Sequence, residues 1–168
     1  MRALTLTQPW ASLIAIGSST VETRSWRTEY RGPLAIHAAK GFPREAAELC
    51  ATEPFASALA AAGIEGAADL PRGAVIALCA LLEVVPIPGE RAFLRTLRDE
   101  YRHPNPAWEI AFGDYSRGRF AWRLADVCAL AKPLACRGML GLWTVGPAIA
   151  AKARAQCADG RRMLQSIQ

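Results

Sequence analysis

Apolar and polar positions alternate with a period of two over Ala3-Leu4-Thr5-Leu6-Thr7, which predicts a strand. A helix is predicted next: Pro9 has no N–H to leave unpaired at a first helical position, and Thr7 or Gln8 can cap it. Trp10, Leu13 and Ile14 then recur at i, i+3 and i+4 before Gly17 stops it. Thr20 to Arg24 predicts a second strand with Thr20, Glu22 and Arg24 on one face and Val21 and Thr23 on the other. Ser25 to Gly32 reads as a loop, and Pro33 to His37 as a strand with Leu34 and Ile36 together and His37 pointing the other way. The Ala-rich stretch from Pro43 to about Ala62 predicts a helical insert, closed by Gly63, Gly66 and Pro71-Arg72-Gly73. Ala74 to Val85 is too apolar for a surface element and predicts the central buried strand. Glu90 to Arg102 predicts a helix with Phe93, Leu94, Leu97 and Tyr101 on an apolar face and Arg91, Arg95, Arg98 and Arg102 as a basic stripe. His103 to Arg117 reads as a loop, Arg119 to Leu124 as a strand, Arg137 to Trp143 as a turn feeding a last short strand, and Pro147 as the start of a helix ending near Cys157. Five or six strands with helices inserted irregularly predict an α+β fold, a small mixed β-barrel. It forms one domain over residues 1–168 with a helical insert at about 41–72.

Composition adds little to the fold and something to the partner. With 168 residues, 52% of them hydrophobic and 21% charged, the chain has enough apolar material for one core and is neither disordered nor collagen-like. The net charge of +5 is carried by 17 Arg and only three Lys (Lys40, Lys132, Lys152), and a guanidinium is the better fork for phosphate and the better plane for stacking on bases. The stripe from Arg91 to Arg102 fits a phosphate-tracking face, and fits better an ordinary solvated surface. No apolar run reaches the roughly 20 residues that span a bilayer, and Gln8-Pro9 interrupts the N-terminal apolar run, so a cytoplasmic protein is expected. Cys50, Cys79, Cys128, Cys136 and Cys157 form no C-x-x-C pair, which favours buried reduced thiols over disulfides or zinc. There is no G-x-G-x-x-G, phosphate loop, H-E-x-x-H or nucleophile elbow.

The first forty residues resemble the ASCH domain family, a branch of the PUA-like barrels. The resemblance is carried by Leu4-Thr5-Leu6-Thr7-Gln8-Pro9-Trp10, by Val21-Glu22-Thr23-Arg24-Ser25-Trp26 and by Arg31-Gly32-Pro33-Leu34-Ala35-Ile36-His37-Ala38-Ala39-Lys40. It returns at Gly113-Asp114-Tyr115-Ser116-Arg117-Gly118-Arg119-Phe120 and at Arg137-Gly138 with Gly141-Leu142-Trp143. It implies a PUA-like barrel whose cleft suits RNA or a modified nucleoside, in a family linked to RNA binding and RNA processing and, in some branches, to hydrolysis. The family signature G-x-K-x-x-E-x-R falls on Gly17 to Arg24, with glycine, glutamate and arginine kept and Ser19 in the lysine position. In the branch that resembles a deacylase of N4-acylated cytidine that lysine is catalytic, and serine supplies neither its charge nor its basicity.

Nucleic-acid-binding candidates are therefore Gln8, Trp10, Glu22, Arg24, Trp26 and Arg119. Glu22 and Arg24 share a strand face and suit a base edge. Trp26, flanked by Arg24 and Arg27, is the stacking candidate, whereas Trp10 sits in the periodic face of the first helix and points to the core. For the alternative, a small ribonuclease or an amidohydrolase, the catalytic candidates are His37, Lys40 and Ser116, with Lys40 approaching the cleft from the neighbouring strand. No cluster has metal-ligand spacing, so a Mg²⁺ or Mn²⁺ would be held largely by phosphate oxygens and a carboxylate such as Glu22. The expected partner is RNA or single-stranded nucleic acid, without a membrane.

Overall fold

A computed structural model describes residues 1–165, with side chains through residue 158. Six strands form one sheet in the order β2-β5-β4-β3-β1-β6. They are β1 (Arg2–Leu6), β2 (Val21–Arg24), β3 (Gly32–Ala38), β4 (Ala74–Pro86), β5 (Phe120–Ala135) and β6 (Leu142–Thr144). The helices are α1 (Trp10–Ala15), α2 (Arg44–Leu49), α3 (Phe55–Ala61), α4 (Glu90–Arg95), α5 (Pro106–Phe112) and α6 (Pro147–Gln165). All pairings are antiparallel except β1 with β3, and the sheet curls into a half-barrel of PUA-like type with α2 and α3 inserted between β3 and β4. Register shifts in the β4–β5 ladder, and Asp126 at φ +51°, give the long strands the bends that closure requires.

Strand alternation divides the core. Leu4, Leu34, Ile36, Ile76 and Trp122 pack together with Ile14 of α1, while Ala35 and Val75 turn the other way to meet Trp143, Ala150 and Ala153 beneath α6. An apolar knot packs Phe55, Leu59 and Leu70 of the insert against Leu13 of α1 and Phe112 of α5.

The structure corrects several local expectations. Residues 103–117 are not all loop, because α5 starts on an Asn105 cap whose side chain accepts from Trp108 N, with Pro106 as first helical residue. β5 runs 16 residues rather than six, since its second half pairs with the start of β4 although its sequence is mixed in polarity. The terminal helix continues past Cys157 to Gln165. The Glu90–Arg102 helix is α-helical only to Arg95 and then widens into a π-helical turn over Thr96–Glu100, so its four arginines do not form one straight stripe, though all are exposed. Five reduced thiols was also wrong. Cys128 on β5 and Cys157 on α6 are joined by a disulfide, with Cα atoms 5.9 Å apart, while Cys50, Cys79 and Cys136 are free. Their contact depends on the unforeseen length of β5 and on the docking of α6, so 29 residues of separation carried no sign of it. Among the described residues no helix is long and apolar enough to cross a membrane.

Candidate functional site

A cleft of about 490 Å³ opens between the end of β1, α1, the edge strand β2 and the turn after α5. All four residues of β2 line it; by strand alternation Val21 and Thr23 are buried, and Glu22 and Arg24 share the partly exposed face. Arg24 Nη1 lies 3.4 Å from Glu22 Oε1, and Arg24 Nε is buried with no hydrogen-bond partner. Beside β2, just before the Phe120 that pairs with Arg24, Arg119 donates from Nη2 to the Thr23 carbonyl at 3.1 Å, and its Nε lies 3.3 Å from Asp114 Oδ2. Burial pushes the Glu22 carboxyl up to about 7, against the opposing pull of Arg24 and Arg119. Trp10 gives the cleft an apolar wall, its indole N–H donating to the Phe112 carbonyl and its ring edge-on to Phe55 at 6.2 Å.

Behind this wall stands a residue the sequence did not single out. Glu109 of α5 is completely buried and accepts from Ser19 Oγ (2.7 Å), Thr20 N (2.7 Å), Thr20 Oγ1 (3.3 Å) and Tyr115 OH (3.2 Å). His103 Nε2 lies 3.0 Å from its other side. His103 Nδ1 accepts from Asn105 N, so Nε2 carries the ring proton, although it makes no hydrogen bond to the carboxylate. Ser19, at the signature's lysine position, is thus tied to a buried carboxylate on α5. Asn105-Pro106, a capping residue followed by proline, was the available signal for α5, but nothing in the sequence marks Glu109 as its inward residue.

A second cavity lies across β1, sharing Thr5 with the first and lined by His37, Lys40, Arg72, Arg137 and Gly138. His37 is buried, its Nε2 donating to the Cys136 carbonyl at 3.1 Å, and burial lowers its pKa from the ordinary histidine value. Gly138 lies against that ring: a Cβ there would sit 2.4 Å from His37 Cε1 and 2.8 Å from Thr5 Oγ1. Gly138→Ala is therefore expected to cost about 2 kcal/mol and lower Tm by about 4–8 °C. Gly41→Ala, with nothing within 4 Å of the new methyl, is the control in the same thermal melts.

Residues 4–133 match the model of the ASCH domain. The chain belongs to the ASCH domain family. Activating signal cointegrator 1 from Homo sapiens is 39% identical over 82 residues, 48% of this chain and 14% of that protein. The Mus musculus protein of the same name is 38% identical over the same shares. This chain therefore spans a small part of the length of the curated relatives it matches. Among solved structures it is similar to the crystal structure of ASCH from Zymomonas mobilis, with a TM-score of 0.50 and 18% identity over 92% of this chain and 93% of that one. A mutant of that protein aligns with a TM-score of 0.50 and 17% identity over 92% and 96%. At that identity the likeness is one of fold.

In this ASCH domain four of the six binding candidates, Trp10, Glu22, Arg24 and Arg119, line one cleft. Gln8 does not: it is fully buried, its Nε2 donating to Ser12 Oγ and the Pro71 carbonyl and its Oε1 accepting from Ser12 N, which fastens α1 to the end of the insert. Trp26 is also displaced, because its ring packs edge-on against Trp122 with centroids 4.6 Å apart. Both rings are partly buried against the core, Trp10 lining the cleft and Trp26 lying under the Arg24 guanidinium, whose Cζ is 5.7 Å from its centroid. His37, Lys40 and Ser116 are not brought together either. The first two line the second cavity, so Lys40 does not reach the first cleft, and Ser116 stands exposed on a turn where its N–H is bound by Asp114 Oδ1.

Proposed function

We propose that this ASCH domain binds single-stranded RNA and holds one unstacked or modified base in the cleft of Glu22, Arg24, Trp10 and Arg119. The observation that carries the reading is the pairing of a largely buried carboxyl, pushed up to about 7, with two guanidinium groups in a base-sized cleft. Arg24 Nε, buried without a partner, is a donor waiting for an acceptor. Glu22 donates to a base when protonated and accepts from an exocyclic amine when ionised, while Trp10 offers apolar surface to the base plane. A Mg²⁺ or Mn²⁺ has weak footing here: among the described residues no three His, Cys, Asp or Glu side chains converge, so ligand phosphates would complete its shell around Glu22. The hydrolytic alternatives have less support than binding, since Ser19 replaces the signature lysine and the catalytic candidates are dispersed.

Fluorescence anisotropy with a labelled single-stranded RNA tests this. Affinity is expected to fall steadily with salt, and Arg24→Gln is expected to weaken binding by about tenfold, the size of one charge-assisted hydrogen bond. Equal affinity of Arg24→Gln and wild type, with both still folded, would remove the cleft from the binding surface.

A further inference from the structure

The second cavity holds Lys40, Arg72 and Arg137 and no carboxylate. We propose that it is a phosphate-binding groove that takes the continuation of the same RNA strand whose base enters the first cleft, an inference that rests on the RNA-binding reading above. Three observations lead there. The two cavities share Thr5 in their linings, which places them within the span of one extended RNA strand. The cations have fixed bases: Arg72 sits over the Phe42 ring at 6.0 Å, and the Lys40 stem rests beside Gly73, whose φ of +64° lets the backbone turn there. The third observation is His37. Its Nε2 must carry the proton, because its partner is a carbonyl, so Nδ1 is an acceptor, and it is buried without a partner in a side chain that is 1% exposed. A neutral acceptor in the wall of a cationic groove matches a ligand that brings both anionic oxygens and hydroxyl donors, as a ribose-phosphate chain does. The exposed Met139 and Leu140 on the rim add apolar surface for sugar and base faces.

The probe is a fluorescein-labelled ten-nucleotide oligouridine, titrated into wild type, Arg72→Gln/Arg137→Gln, Arg24→Gln and, as a charge control, Arg91→Gln/Arg95→Gln. Both arginines of the first pair are exposed, so the fold is expected to survive, and a thermal melt of each variant checks it. The expected result is an affinity about tenfold weaker for Arg72→Gln/Arg137→Gln. The slope of log affinity against log salt should be shallower by about 1.4, two phosphates at about 0.7 each, with the control unchanged. Loss in Arg72→Gln/Arg137→Gln without loss in Arg24→Gln would uphold the groove and overturn the first cleft. Loss only in Arg24→Gln would overturn the groove and leave the cleft. An equal loss in the control pair would reduce the effect to overall charge and overturn the groove, and no binding by wild type at low salt would overturn both.

Discussion

Replacing Glu109 by alanine is expected to destabilise the domain by about 3–5 kcal/mol and to lower Tm by about 10 °C or more. The loss is large because it is not one bond. Ser19 Oγ, Thr20 N and Tyr115 OH all donate to this carboxylate and His103 Nε2 lies 3.0 Å from it, so removing it leaves buried donors unpaired. Tyr115 remains a donor throughout, since burial and the Glu109 charge push its pKa up. Glu109→Gln should lose about half as much, because the amide keeps one acceptor oxygen and turns an NH₂ group on the remaining donors. Urea unfolding of the three proteins measures this. A loss below about 1 kcal/mol for Glu109→Ala would mean the carboxylate is not what holds α5 to the start of β2.

Glu22 gives the second large effect, and its sign is set by the upward shift of its carboxyl to about 7. Between the ordinary value of 4.5 and about 7 the folded state keeps a proton that the unfolded chain has released. The group's contribution is therefore fully present below pH 4.5 and is lost as pH rises through about 7. At most about 3.5 kcal/mol is involved. Glu22→Gln removes this dependence, so its stability relative to wild type should climb from pH 5 to pH 8 and level off above that. RNA affinity of the wild type should decline over the same interval, as a negative charge appears beside the ligand's phosphates. A stability difference between the two proteins that stays constant from pH 5 to 8 would refute the assignment.

What could be read from the sequence, and what could not, divides along physical lines. Strands with strict alternation or continuous apolar runs, β1 to β4, were legible because side-chain periodicity and face burial are the same fact. The far half of β5 was not, since Asp126 to Ala135 is paired by backbone hydrogen bonds and half exposed, and its side chains carry little pattern. Glu22, Arg24 and Arg119 were legible as cleft residues through family motif and strand parity together. Which of Trp10 and Trp26 lines the cleft was not legible, because periodicity tells which face a residue occupies, not whether that face meets core or cavity. Glu109 and the Cys128–Cys157 bond escaped for a common reason: each joins elements far apart in the chain, and such partners become neighbours only after the sheet has formed.

The position of β1 has a consequence for how the protein is made. β1 lies between β3 and β6, and its outer neighbour is set by Arg2 opposite Thr144, Ala3 opposite Trp143 and Leu4 opposite Leu142. During synthesis β1 can join β3 as soon as β3 has left the ribosome, but its other edge stays open until more than a hundred further residues have been added. An apolar strand with unsatisfied backbone groups is thus presented to its surroundings for about 5–20 seconds, at about 5–20 residues per second. Completion of the sheet falls to one of its shortest strands, so chains interrupted before Thr144 are expected to be the ones that aggregate.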